Sequence, residues 1–183
     1  MRVSTTPGLT ATAAADDGEI EDHLLRVANT SVTLLDGNLT VVDIAAGGKQ
    51  DNLQFIIDGD DLIISDPSAF FATTHGTVSD DGHTVTIPTA LVTGSITVHA
   101  NGGDDSVTVS ADISNSTALN GGAGNDSLQG GSGLNTIDGG ANDDMLNGGA
   151  GDDLLLGDAG LDTLNGSAGV DSIYGEAGDD IIE

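Results

Sequence analysis

The chain has 183 residues, of which thirty are Asp or Glu and three are Lys or Arg, giving a formal charge of −27. No basic residue follows Lys49, so nucleic acid phosphates and anionic lipid headgroups are repelled and neither is expected as a partner. The absence of cysteine excludes disulfides, thiolate metal sites and thiol nucleophiles, and no run of about 18 apolar residues is present to span a membrane as a helix.

An acidic chain with three Phe, one Tyr and no Trp has some of the marks of a disordered one. Against that reading, 37% of the residues are apolar, mostly Ile, Leu and Val among the side chains that can pack. The 28 glycines are about twice the usual share of roughly 7%, and they crowd the second half of the chain, a composition suited to turns.

Residues 1–29 are rich in Thr, Ala and Asp, lack the apolar centre of a signal peptide, and are expected to be a loosely ordered leader. Within them, Gly18-Glu19-Ile20-Glu21-Asp22 in the stretch 17–23 resembles the ending of GEVED-type domains, with His23 where that family has Tyr. The resemblance implies the tail of a preceding domain, and hence a fragment of a longer bacterial surface protein.

Residues 30–120 read as a strand-rich β segment. The runs SVTLL at 31–35, LTVVDI at 39–44, LQFII at 53–57 and DLIIS at 61–65 are rich in β-branched residues and bounded by Gly, Asp or Asn. The turn clusters LDGN and IDGD between them suit tight hairpins. Residues 66–81 are expected to be a loop carrying one apolar patch, Phe70-Phe71, and further strands are expected at 83–87, 94–99 and 106–110. Hairpins and wider solenoid rungs both fit this pattern. The irregular piece 109–120 is three residues longer than a nonamer, and one packing mode is expected to hand over to another there.

From Gly121 to the end the chain divides without a gap into seven nonamers: GGAGNDSLQ, GGSGLNTID, GGANDDMLN, GGAGDDLLL, GDAGLDTLN, GSAGVDSIY and GEAGDDIIE. Position one is always Gly, position four is Gly except at Asn142, and position six is Asp except at Asn135. Position eight is always aliphatic: Leu128, Ile137, Leu146, Leu155, Leu164, Ile173 and Ile182. A degenerate copy, ANGGDDSVT at 100–108, keeps Asp105 and Val107 in phase. A flexible linker has no reason to hold this register.

Glycines at positions one and four are expected to permit positive φ in a tight six-residue turn, and the last three residues to form a short strand. One aliphatic per nonamer cannot make a core, but two nonamers make a coil with two facing strands, and stacked coils bury a thin aliphatic layer. Position six then falls into two columns: Asp126, Asp144, Asp162 and Asp180 in one, Asn135, Asp153 and Asp171 in the other. Bare carboxylates on coils ~4.8 Å apart repel by about 3–4 kcal/mol at an effective dielectric of ~20, whereas burying one aliphatic side chain returns ~1.5–3 kcal/mol. Packing alone could hold such a stack only marginally. Several Ca²⁺ ions, each coordinated by carboxylates and turn carbonyls, would turn the repulsion into binding. Zinc is disfavoured by the all-oxygen ligand set and magnesium by its strict octahedron.

These nonamers resemble the RTX (repeats-in-toxin), hemolysin-type calcium-binding repeat, G-G-x-G-x-D-x-U-x. The resemblance implies an all-β fold with a right-handed parallel β-roll at 121–183, binding calcium between turns in a secreted or cell-surface protein. Position by position, it implies carboxylate ligands at Asp126, Asp144, Asp153, Asp162, Asp171 and Asp180, with Asn135 an uncharged and weaker member. It also implies turn contributions, some through carbonyl oxygens, from Gly121, Gly130, Gly139, Gly148, Gly157 and Gly166. Asp158, Ser167 and Glu176 replace the second glycine and are expected to make the later turns less uniform. No aromatic segment follows Ile182, so a truncated array is expected.

Asp126 is expected to be an edge position, because Thr108 stands 18 residues before it. Asp143, Asp152 and Asp179 at position five read as outward-facing charge. His23, His75, His83 and His99 share no spacing and read as solvated or structural, while Asp58, Asp60 and Asp61 miss the EF-hand spacing. With no nucleophile elbow or other catalytic motif, the expectation is a non-enzymatic, calcium-binding structural module. An accessory module of a secreted protease or lipase, or of an adhesin, is the alternative.

Overall fold

The computed structural model describes residues 28–43, 49–73 and 75–183; the leader and its GEVED-like stretch lie outside them. All regular structure among these residues is β, apart from a single 3₁₀ turn at Thr89–Leu91.

Strands β1 (Thr30–Leu35) and β2 (Asn38–Asp43) form an antiparallel hairpin across Asp36-Gly37. Both turn residues have positive φ, 50° and 81°, as a two-residue turn matched to strand twist requires. A second hairpin joins β3 (Asn52–Asp58) to β4 (Asp61–Ser65) through Gly59-Asp60. The segment expected to be a loop contains two short strands, β5 (Phe71–Thr73) and β6 (Thr77–Val78). Phe71 is buried in the core, and its burial carries the backbone of β5 alongside β1. Strand β6 pairs with β7 (Thr84–Pro88), which in turn pairs with β4.

The remaining strands alternate between two sheets: β8 (Ile96–His99), β9 (Ser106–Val109), β10 (Thr117–Ala123), β11 (Ser127–Gln129), β12 (Asn135–Ala141), β13 (Met145–Asn147), β14 (Leu154–Ala159), β15 (Thr163–Asn165), β16 (Ser172–Tyr174) and β17 (Ile181–Ile182). One sheet runs β16-β14-β12-β10-β8-β2-β1-β5, the other β17-β15-β13-β11-β9-β3-β4-β7-β6. The strands from β8 to β17 make a parallel solenoid of about five coils. Within the repeats the register is 18 residues: Leu128 pairs with Leu146 and Leu146 with Leu164, while Ile137 pairs with Leu155 and Leu155 with Ile173.

Two expectations change. Strands were expected to span three residues, and β11, β13, β15 and β16 do, but β10 and β12 span seven because the ladder continues into the next nonamer's glycines. A Cβ at Gly140 would lie 2.2 Å from the Gly122 carbonyl oxygen, so bare glycine backbones can stack where side chains could not. The hand-over at 109–120 is also misplaced. Pairing is parallel on both sides of that piece, whose extra residues are absorbed in a loop with Ile113 tucked inward. Parallel gives way to antiparallel at β2 and β3, each paired with the solenoid on one edge and with its own hairpin partner on the other.

A single aliphatic layer lies between the sheets. Leu119, Leu128, Ile137, Leu146, Leu155 and Leu164 are fully buried, continuous with Leu53, Phe55, Ile64 and Ile87. Leu146→Ala is expected to cost about 2–5 kcal/mol, whereas Ile182→Ala, at a residue 56% exposed, should stay within about 0.5 kcal/mol; denaturant unfolding in calcium measures both.

Candidate metal centre

The turns between coils position the carboxylates. A Cβ built at Gly139 would lie 2.4 Å from Oδ2 of Asp144 in the same nonamer, and the other position-one glycines meet their own position-six side chains in the same way. Position one is therefore glycine for space, not for the positive φ expected there. Positive φ falls at position four as expected, at Gly124 and Gly151 with 136° and 119°, and also at position two, where Gly122 and Gly140 have φ of 107°. Asp158, Ser167 and Glu176 hold the left-handed region at the same slot with φ of 65–68°, so the later turns shift in angle without changing class.

The carboxylates stack as a ladder. Oδ1 of each accepts the backbone N–H of the position-six residue one coil earlier: Asp126 N–H donates to Asp144 at 2.7 Å, Asp144 to Asp162 at 2.9 Å and Asp162 to Asp180 at 3.1 Å. On the other face Asn135 N–H donates to Asp153 at 2.7 Å and Asp153 to Asp171 at 2.9 Å. Asp126, Asn135, Asp144, Asp153 and Asp162 are buried; Asp171 and Asp180, in the last coil, are partly exposed.

The ladder reaches further than the repeats. Asp126 is internal, because its Oδ1 accepts the N–H of Asp105 at 2.8 Å, and Asp105 in turn accepts from Asp51 at 2.7 Å. A step of 18 residues would leave Asp126 at an edge, whereas the loop after β9 makes this step 21. Position five forms a second ladder running the opposite way, with Leu161 N–H donating to Asp143 and Val170 N–H to Asp152, both at 2.9 Å. These acids are exposed, as expected of outward charge, but they also tie coils together.

Oδ2 of Asp105, Asp126, Asp144, Asp153 and Asp162 is buried without a hydrogen-bond partner. Burial, reinforced by neighbouring carboxylates, pushes Asp144 up to about 7 and Asp105 to about 6. Burial likewise raises Asp126, Asp153 and Asp162 above the ordinary carboxylate range. Orphaned anionic oxygens cost free energy in a dry setting, and a hard divalent cation is the group that such an oxygen-only set fits. Among the described residues no three carboxylate or imidazole side chains form a self-sufficient metal cage, so backbone carbonyls or water would complete any coordination.

The family match follows this geometry: residues 120–155 and 156–183 each match the RTX calcium-binding nonapeptide repeat, a unit of four copies. Residues 120–183 are RTX calcium-binding repeats. Comparison with curated proteins and with solved structures gives no match.

One RTX rung shows how its oxygens converge. The Nδ2 amide of Asn135 donates to Gly133 O and Gly148 O, both at 2.9 Å, and to Asp153 Oδ1 at 3.0 Å. A partially positive NH₂ group thus draws together a carbonyl of its own turn, a carbonyl of the next coil and that coil's carboxylate. Asn135→Asp would remove this internal donor and add a charge. The calcium-free variant is expected to unfold at lower temperature than the parent and to bind about one further calcium equivalent, which thermal unfolding and calorimetric titration would show.

Proposed function

We propose that the RTX repeats bind several Ca²⁺ ions between successive coils, and that binding is coupled to folding of the roll in a secreted or cell-surface protein. The observation that carries this reading is the column of buried position-six carboxylates, each with one oxygen held by the neighbouring coil and the other without a partner. By equivalence with the Asn135 rung, the oxygens between Asp126 and Asp144 are those two carboxylates with the carbonyls of Gly124 and Gly139. The remaining rungs follow at intervals of 18 residues, with Asp153 and Asp171 on the opposite face. The turn glycines leave room for this approach, and the ladder holds each carboxylate in register. Calcium supplies the positive charge that cancels the repulsion along the column.

Folding follows from the same balance, since the aliphatic layer is thin and the columns are self-repelling until neutralised. Extracellular calcium modules have Kd of about 10⁻⁴–10⁻³ M; repeats of that affinity would order only after export. No helix among the described residues is long and apolar enough to cross a membrane. Isothermal titration of the metal-stripped chain tests the proposal: several equivalents of calcium should bind, with magnesium a weak competitor. Absence of binding at millimolar calcium, or equal binding of magnesium, would count against it.

A further inference from the structure

We propose that a further divalent-cation site lies outside the RTX repeats, between the turn that carries Asp51 and the turn that carries Asp105. It rests on the calcium reading above but on different residues, separated by 54 positions in sequence.

Lys49 to Leu53 occupy the slots of a repeat turn without its sequence. Leu53 pairs with Val107, which pairs with Leu128, placing Leu53 in slot eight and Asp51 in slot six. Lys49 takes slot four: its carbonyl oxygen lies 2.3 Å from a Cβ built at Gly103, as the Gly103 carbonyl lies 1.7 Å from one built at Gly124. Asp51 N–H donates to Asp105 Oδ1 at 2.7 Å, the same rung-to-rung bond that joins Asp126 to Asp144.

Asp51 differs from every repeat carboxylate in one respect. It is 2% exposed, and both of its oxygens are buried with no hydrogen-bond partner. No slot-six N–H of a preceding coil donates to Asp51 among the described residues; Asn52 N–H donates to Asp66 at 2.7 Å, and Asp66 is further satisfied by Ser68 and Ala69. The charges that act on Asp51 are the carboxylates of Asp43, Asp66 and Asp105, opposed by Lys49, whose side chain is exposed. Asp105 adds its own partnerless Oδ2 on the facing turn. The dry, partnerless Asp51 carboxylate and the orphaned Oδ2 of Asp105 on the adjacent coil, with the buried Asp43 carboxylate acting on both, have the chemistry of a calcium rung.

The test is calorimetric calcium titration of the full chain against Asp51→Asn, with thermal unfolding in EDTA. Asp51→Asn removes a buried charge without changing shape. It should therefore bind about one calcium equivalent fewer than the parent and unfold at higher temperature in EDTA, with a smaller calcium-induced rise. A parent that binds no calcium defeats the RTX reading itself. A variant that binds as many equivalents as a calcium-binding parent means Asp51 is only a protonated buried acid, and overturns this site. If the variant does not fold, hydrogen exchange on the parent decides: calcium should slow exchange at residues 49–55, and protection confined to 121–183 overturns the proposal.

Discussion

Without calcium, the protein is expected to be more stable at about pH 4.5 than at about pH 8, the reverse of ordinary acid denaturation. The folded state raises its buried carboxylates above their unfolded value of about 3.9: Asp51 and Asp144 to about 7, Asp105 to about 6, and Asp126, Asp153 and Asp162 in the same direction. A group whose folded pKa is raised binds its proton more tightly when folded. Its stabilising contribution is complete below about pH 4 and is lost as pH climbs toward the folded values, through about pH 6–7. Calcium reverses the slope, because metal and proton compete for the same oxygens and the deprotonated ligands are the ones that bind. Thermal unfolding in EDTA and in millimolar calcium, across this range, should give curves of opposite slope. Stability that rises with pH in EDTA would contradict the electrostatics described for the columns.

The second large effect concerns where a column can be broken. Asp126→Ala and Asp144→Ala should each raise the calcium concentration for half-folding by about tenfold or more, equivalent to ~1.4 kcal/mol. Each of these residues has a carboxylate neighbour on both coils. Asp180→Ala should shift the midpoint by only about twofold, within the ~0.5 kcal/mol of a surface change, because Asp180 is partly exposed and, among the described residues, stacks on Asp162 alone. An Asp126→Ala variant as mild as Asp180→Ala would mean that the column does not continue to Asp105.

That contrast also shows what was legible in the sequence. The nonamer period specified the 18-residue register, the aliphatic layer and both position-six columns, because a strict repeat gives every coil the same pairing. The hairpins at Asp36-Gly37 and Gly59-Asp60 were legible from their turn chemistry. The extension of the column was not. Asp105 is displaced by an insertion that only the loop around Ile113 absorbs. Asp51 keeps the Asp-x-Leu spacing of slots six and eight, but Gly47-Gly48 stand one residue out of phase with the repeat glycines and 54 positions separate it from its partner. Strand β5 was hidden because a three-residue edge strand carries too little alternation to stand out from a loop. The position-five ladder was hidden because exposed acids and acids that accept one backbone N–H look alike in sequence.

Far-UV circular dichroism of the metal-stripped full chain at neutral pH, titrated with calcium and then reversed with EDTA, tests the central claim most directly. The columns predict a cooperative gain of β signal on calcium addition and its loss on chelation. A β signal and an unfolding temperature that are the same with and without calcium would contradict calcium-coupled folding of the roll.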